Sequence, residues 1–99
     1  MVNVKVMSKV EQKAIICIAD NIRITQNALW EDDRLYDEEN FELDRVTEAL
    51  LYGAYNDNLC YISEGLNILK EVIQNAIAFD TEFDDCIDTL QAIIDEHTR

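Results

Sequence analysis

Apolar residues return every three or four positions along most of the chain, the period of an amphipathic helix. The first such run holds Ala14, Ile15, Ile18, Ile22, Thr25 and Leu29 on one face, with Ile16, Cys17 and Ala19 widening it. Ser8-Lys9-Val10-Glu11 precedes it and fits the capping box, in which a serine hydroxyl and a glutamate reciprocally satisfy the free amides of a helix start. The pattern predicts a helix from about residue 9 to about residue 30, apolar nearly all round in its middle and therefore central to a core. Ahead of it, Val2, Val4 and Val6 alternate with Asn3 and Lys5. This short period-2 signature is either an extended arm that pairs with a copy or a partner, or a helical turn started at Asn3.

Asp37 is a suitable N-cap for a second helix, with Glu38 and Glu39 in the first turn where the helix dipole favours negative charge. Leu43, Val46, Leu50 and Ala54 form its inner face, and Leu51, Tyr52 and Tyr55 leave little polar surface around them. Asn56-Asp57-Asn58 is read as a break, although the stripe resumes in phase at Tyr61, Gly65 and Leu69 and nothing in the triplet forbids helix. A third helix, about 58 to 79, places Ile62, Leu66, Leu69, Ile73, Ala76 and Ile77 inward, and Glu64, Asn67, Lys70, Glu71, Gln74 and Asn75 outward. Asp80-Thr81 supplies a turn and an N-cap, and Phe83, Cys86, Ile87, Leu90, Ile93, Ile94 and His97 continue on one face of a fourth helix to about residue 97.

Composition narrows the fold class. Proline is absent and there are two glycines, whereas an all-β domain draws heavily on both for its turns. The chain of 99 residues is read as a single all-α domain over 1–99: a small bundle of about four helices with a short extended N-terminal arm. No apolar run approaches membrane-spanning length and the N-terminus lacks the pattern of a signal peptide, so the expectation is a cytoplasmic protein.

Charge changes the picture most. The formal net charge is −13, and it is unevenly placed: residues 1–30 carry four bases and two acids, residues 31–99 four bases and nineteen acids. Eight carboxylates, Glu31, Asp32, Asp33, Asp37, Glu38, Glu39, Glu42 and Asp44, share one stretch with a single base, Arg34. Trp30, Leu35, Tyr36, Phe41 and Leu43 lie among them, and a purely solvating tail would lack such residues. The stretch is therefore expected to be pinned to a folded body and to present its charge from a defined surface. Direct contact with nucleic acid or an anionic membrane would be repelled, while a basic protein surface would be attracted.

Little else carries chemistry. Cys17, Cys60 and Cys86 are odd in number, far apart and in apolar patterns, which reads as buried free thiols rather than disulfides or a zinc site. His97, the single histidine, sits near the end of the chain, where a surface or helix-dipole role outweighs catalysis. Asp80, Glu82 and Asp84 alternate as in a calcium loop, but Cys86 and Ile87 follow and the turn glycine is missing. Glu-x-x-His pairs of di-iron bundles are absent, and no cofactor is implied. Glu39-x-x-Glu42, followed by Ala54-x-x-Asp57-Asn58, resembles the ExxE and ExxD helices of MazG-like nucleotide pyrophosphohydrolases. That resemblance implies a small all-α enzyme holding magnesium on carboxylates from facing helices, with Glu39, Glu42 and Asp57 as its acids; Ala54 stands where the second motif needs a glutamate.

The acidic clusters are the leading candidate site. Acids three or four apart on a helix are separated by about 4.5 to 6 Å along its axis, the same order as successive phosphates on one strand. The first cluster, joined by Asp80, Glu82, Asp84, Asp85 and Asp88 if the fourth helix lies alongside, can present a phosphate-like surface to a protein with a basic nucleic-acid groove. Trp30, Leu35, Tyr36 and Phe41 would supply the anchors; the competing role is to fasten the stretch to its own core, which suits Leu35 and Leu43 better. The expected function is a non-enzymatic inhibitor of a nuclease or other nucleic-acid-handling protein, of the kind carried by phages and mobile elements or used as immunity to a nuclease toxin. A further possibility is self-association, with Tyr52 and Tyr55 of the apolar run Ala49–Tyr55 lining a homodimer and the valine arm pairing across it.

Overall fold

The computed structural model describes residues 7–75 and 83–98. Among them are four helices and no strand: α1 (Lys9–Glu31), α2 (Asp37–Tyr55), α3 (Leu59–Asn75) and α4 (Asp84–Thr98). None is long and apolar enough to cross a membrane. The period-2 segment at residues 2–6 and the turn expected at Asp80-Thr81 lie outside the described residues.

Cross-links between helices fix their directions. Gln12 Nε2 donates to the Ala54 carbonyl at 3.0 Å, and Gln26 Nε2 donates to Asn40 Oδ1 at 2.7 Å, so α1 and α2 run antiparallel. Lys70 Nζ donates to Gln91 Oε1 at 2.8 Å between α3 and α4, and His97 Nε2 meets the Glu11 carboxylate at 2.9 and 3.0 Å between α4 and α1. The helices close into a ring in which α1 packs on α2 and α4, and α3 packs on α2 and α4. This is an up-and-down four-helix bundle. One end gathers the starts of α1 and α3 with the ends of α2 and α4; the other gathers the α1–α2 loop with the end of α3 and the start of α4.

The core follows the helical periodicity. Ile15, Ile18, Ala19, Ile22 and Leu29 of α1 meet Leu43, Val46, Leu50 and Ala54 of α2, Ile62, Leu66, Leu69 and Val72 of α3, and Leu90 and Ile94 of α4. Met7 and Phe83, each just ahead of a helix, are buried and cap the core at opposite ends of the bundle. The tightest seam is α2 on α3. A Cβ on Gly53 would sit 2.6 Å from Ile62 Cδ1 and 2.9 Å from the Asn58 carbonyl, and one on Gly65 would sit 3.0 Å from Leu50 Cδ2. Gly53 is needed for that approach, since a Cβ there would meet the Asn58 backbone, and at Gly65 the Leu50 side chain would have to give way.

Helix ends explain the loops. At the start of α1 both halves of the capping box form: Ser8 Oγ accepts from the Glu11 amide at 3.1 Å, and Glu11 Oε1 accepts from the Ser8 amide at 2.8 Å. The ends of α1 and α2 use the same turn. Arg34 N–H donates to the Leu29 carbonyl and Asp33 N–H to Trp30; Asn58 N–H donates to Gly53 and Asp57 N–H to Ala54. These are Schellman patterns, and the left-handed position that usually takes glycine is filled by Asp33 (φ 56°) and Asp57 (φ 52°). The Asn56-Asp57-Asn58 triplet is thus a true break.

Several expectations are corrected. The N-cap of α2 is Tyr36, not Asp37; Asp37 occupies the first helical position, and Glu39 Oε1 reaches back to the Tyr36 amide at 2.9 Å. Cys17 and Cys60 are exposed rather than buried, because the wide apolar band of α1 and the first turn of α3 extend beyond what the bundle covers. The His97 side chain is only 8% accessible, held in the α1–α4 seam by Glu11 instead of standing at the surface.

Candidate acidic interface

The acidic stretch is built by two helix ends and the five residues between them. Glu31 is the last residue of α1, Asp32 its C-cap and Asp33 the left-handed residue that turns the chain. Asp37, Glu38 and Glu39 form the first turn of α2, where their charge faces the positive end of the helix dipole. Leu35 is buried and pins the loop to the core; Leu43 is buried one and a half turns into α2. Both therefore have the fastening role foreseen for them.

The aromatic residues divide differently. Trp30 is 46% exposed, Tyr36 79% and Phe41 62%. All three stand in solvent among the carboxylates, so fastening the loop does not account for them. A recess of about 330 Å³ opens between the start of α2 and the end of α3, lined by Glu38, Glu39, Phe41, Glu42, Glu71 and Val72. Glu71 was not distinguishable in the sequence from any outward-facing helical acid. Only the antiparallel pairing of α2 and α3 brings it opposite Glu42.

Some of the acids serve the fold. Asp44 Oδ1 accepts from Gln26 Nε2 at 2.9 Å; Gln26 is buried and also reaches the Asn40 carbonyl and Oδ1, tying α1 to α2 behind the acidic face. Glu42 pairs with Arg45 at 3.2 Å on the surface of α2. Glu39 gives one oxygen to the Tyr36 amide. Glu31, Asp32, Asp33, Asp37 and Glu38 are exposed.

Asp84 and Asp85 open α4, and Asp88 follows one turn later; all three are exposed. Because α4 runs antiparallel to α1, its start lies at the same end of the bundle as the α1–α2 loop. The described members of the second cluster therefore share an end with the first. Asp80 and Glu82 lie outside the described residues.

The three acids of the pyrophosphohydrolase resemblance are not gathered. Glu39 and Glu42 lie at the start of α2, and Asp57 follows its end, fifteen residues beyond Glu42, or about 22 Å along a helix axis. Asp57 Oδ1 instead accepts from the Met7 amide at 2.8 Å. Among the described residues no three His, Cys, Asp or Glu side chains are arranged to hold a metal ion.

The Ser8 amide is the main cause that holds the Glu11 carboxyl below the ordinary glutamate range; partial burial pushes the other way, and the His97 ring adds to the lowering. Burial, with the neighbouring Asp85 charge, pushes the Cys86 thiol up, away from the thiolate that a nucleophile needs. No protein-family model, curated protein or solved structure matches the chain.

Proposed function

We propose that this protein is a non-enzymatic binding protein whose acidic end occupies a basic, nucleic-acid-binding surface of another protein. The observation that carries this reading is the exposure of Trp30, Tyr36 and Phe41 among the carboxylates of a loop that Leu35 already pins to the core. Carboxylates at one end of the bundle supply long-range attraction and salt dependence. Exposed aromatic rings supply the contact area that charge lacks, as they do in interface hot spots. Leu35 and the Schellman turn hold the loop in shape, and Gln26 fixes the two helices it joins, so ordering it on binding costs little. The partner class is a nuclease or another nucleic-acid-handling protein, and an inhibitor carried by a phage or mobile element, or an immunity protein, fits this character. Three free cysteines accord with action in a reducing cytoplasm.

The test is capture from nuclease-treated lysate of the source organism and its hosts, eluted by a salt gradient. The control carries Glu31, Asp32, Asp33, Asp37, Glu38 and Glu39 as their amides, which preserves the cap at Tyr36 because glutamine also serves there. The expected result is one nucleic-acid-binding protein retained by the native chain, released by salt and lost from the control. Trp30, the single tryptophan, reports the same contact by a change in its emission on titration with that protein. Equal retention by the control, or unaltered Trp30 emission, overturns the reading.

A further inference from the structure

The recess beside the acidic end is the first part of a longer groove. Glu38, Phe41 and Glu42 of α2 line it, and Arg45, Glu48 and Tyr52 follow on the same face at intervals of three or four residues. The facing positions on α3 are Tyr61, Glu64, Ile68 and the adjacent Glu71 and Val72. Two recesses of about 330 and 350 Å³ thus lie end to end on the outer side of the α2–α3 pair. From Glu38 to Tyr52 the groove follows α2 for about 21 Å.

Ala49, Ile68 and Val72 are half-buried or buried along its floor. Phe41, 62% exposed, stands near one end; Tyr52 and Tyr61, partly covered by the bundle, stand at the other with ring centroids 4.5 Å apart. The rims carry Glu38, Glu39, Glu42, Glu48, Glu64 and Glu71. Among the described residues that line the groove the single base is Arg45, which already pairs with Glu42 at 3.2 Å. The groove is therefore apolar along its floor and strongly negative at its edges.

We propose that this groove receives a cationic amphipathic helix of the partner protein, an inference that rests on the binding function proposed above and names the element gripped. Charge selects the occupant. Six carboxylates against one guanidinium attract lysine and arginine, and repel a second copy of a chain that carries −13. Backbone chemistry selects its form. The groove is walled by two helices whose amides and carbonyls are paired internally, so an extended segment finds no strand edge to join and its own backbone groups go unmet. A helix pairs its own. Laid between α2 and α3, it packs an apolar stripe on Phe41, Tyr52, Tyr61 and Ile68 while its cationic side chains reach glutamates on both rims. The groove between α1 and α2 repels the same helix, because Lys9 and Lys13 line it.

The test uses the full chain and a synthetic peptide of about 18 residues, about 27 Å long as a helix, made of leucine, alanine and lysine with the leucines on one helical face. A control peptide has the same composition in an order that disperses the leucines around the helix. Binding is followed by fluorescence anisotropy of labelled peptide in about 0.15 M sodium chloride. The amphipathic peptide is expected to bind about tenfold or more tightly than the control. Glu48→Gln combined with Glu64→Gln is expected to weaken it about tenfold, whereas Asp32→Asn with Asp33→Asn, which removes the same charge from the loop, changes it about twofold or less. All four positions are exposed, and asparagine also tolerates the left-handed backbone at position 33, so these variants keep the fold, as circular dichroism checks. Equal binding of the two peptides, or equal losses in the two double variants, leaves only general attraction between opposite charges and overturns the groove. Lysate capture judges the acidic-end reading separately: a partner lost from the amide control but retained by Glu48→Gln with Glu64→Gln upholds that reading and overturns the groove.

Discussion

The two ends of the bundle use polar side chains in opposite ways. At the end where α1 begins, they are consumed by the fold: Ser8 and Glu11 cap each other, Glu11 also holds His97, Asp57 accepts from Met7, and Gln12 reaches the Ala54 carbonyl. At the acidic end, Leu35 and a Schellman turn hold the loop, Gln26 ties α1 to α2 beside it, and Glu31, Asp32, Asp33, Asp37 and Glu38 are exposed with three aromatic rings among them. Charge that the fold does not use, placed beside apolar surface that it does not bury, is the mark of an interface. The contrast is the basis of the binding surface proposed at the acidic end.

The contrast breaks most visibly in stability. His97→Ala removes a nearly buried ring and its bond to a carboxylate, and is expected to cost about 1.5 to 3 kcal/mol, the range for hydrogen bonds to charged groups. Asp32→Asn or Glu38→Gln at the acidic end is expected to change stability by no more than about 0.5 kcal/mol. Urea denaturation midpoints of the three variants check this. Equal losses at both ends would mean that the exposed acids are structural after all.

A smaller effect separates the ends by pH. Glu11 holds its proton less tightly in the folded chain than in the unfolded one. The unfolded state therefore takes up the extra proton in acid, and stability rises with pH across that window. The contribution of Glu11 is complete above the ordinary glutamate value of about 4.3 and drains away as pH falls below it. Glu11→Gln keeps an acceptor for the Ser8 amide but has no such proton. The stability gap between wild type and this variant is expected to be widest at neutral pH and to close toward pH 3, measured by urea titration at each pH. A gap that widens in acid contradicts the geometry at Ser8 and His97.

Local spacing made one half of this comparison legible and distance hid the other. The Ser8–Glu11 box spans three residues and the core stripes follow the helical period, so α1, the bundle and the roles of Leu35 and Leu43 could be read directly. His97 and Glu11 are 86 residues apart, and Glu71 meets the acidic end only through the antiparallel pairing of α2 and α3. An aromatic ring between carboxylates can turn inward or outward with the same sequence, so the exposure of Trp30, Tyr36 and Phe41 required the structure. Cys17 and Cys60 misled because an apolar band wider than the bundle can cover looks like core. The break at 56–58 was ambiguous because aspartate, not glycine, takes the left-handed position.

That substitution of aspartate for glycine gives the smallest and most direct comparison of the ends. Asp33 and Asp57 occupy equivalent positions in equivalent turns, and both carry the steric cost of a left-handed backbone that glycine avoids. Asp33 is exposed, so Asp33→Gly relieves the strain with no bond of the loop to lose; a gain of about 0.5 to 1 kcal/mol is expected. Asp57 accepts from Met7, whose side chain plugs the core, so Asp57→Gly gains the same relief but strands that amide. The two terms are of similar size, and the net change is expected to be near zero or unfavourable. Thermal midpoints of the two variants decide the matter. If Asp57→Gly stabilises as much as Asp33→Gly, the Met7 bond contributes nothing, and the polar contacts of the tied end reduce to Ser8–Glu11, His97–Glu11 and Gln12–Ala54 among the described residues.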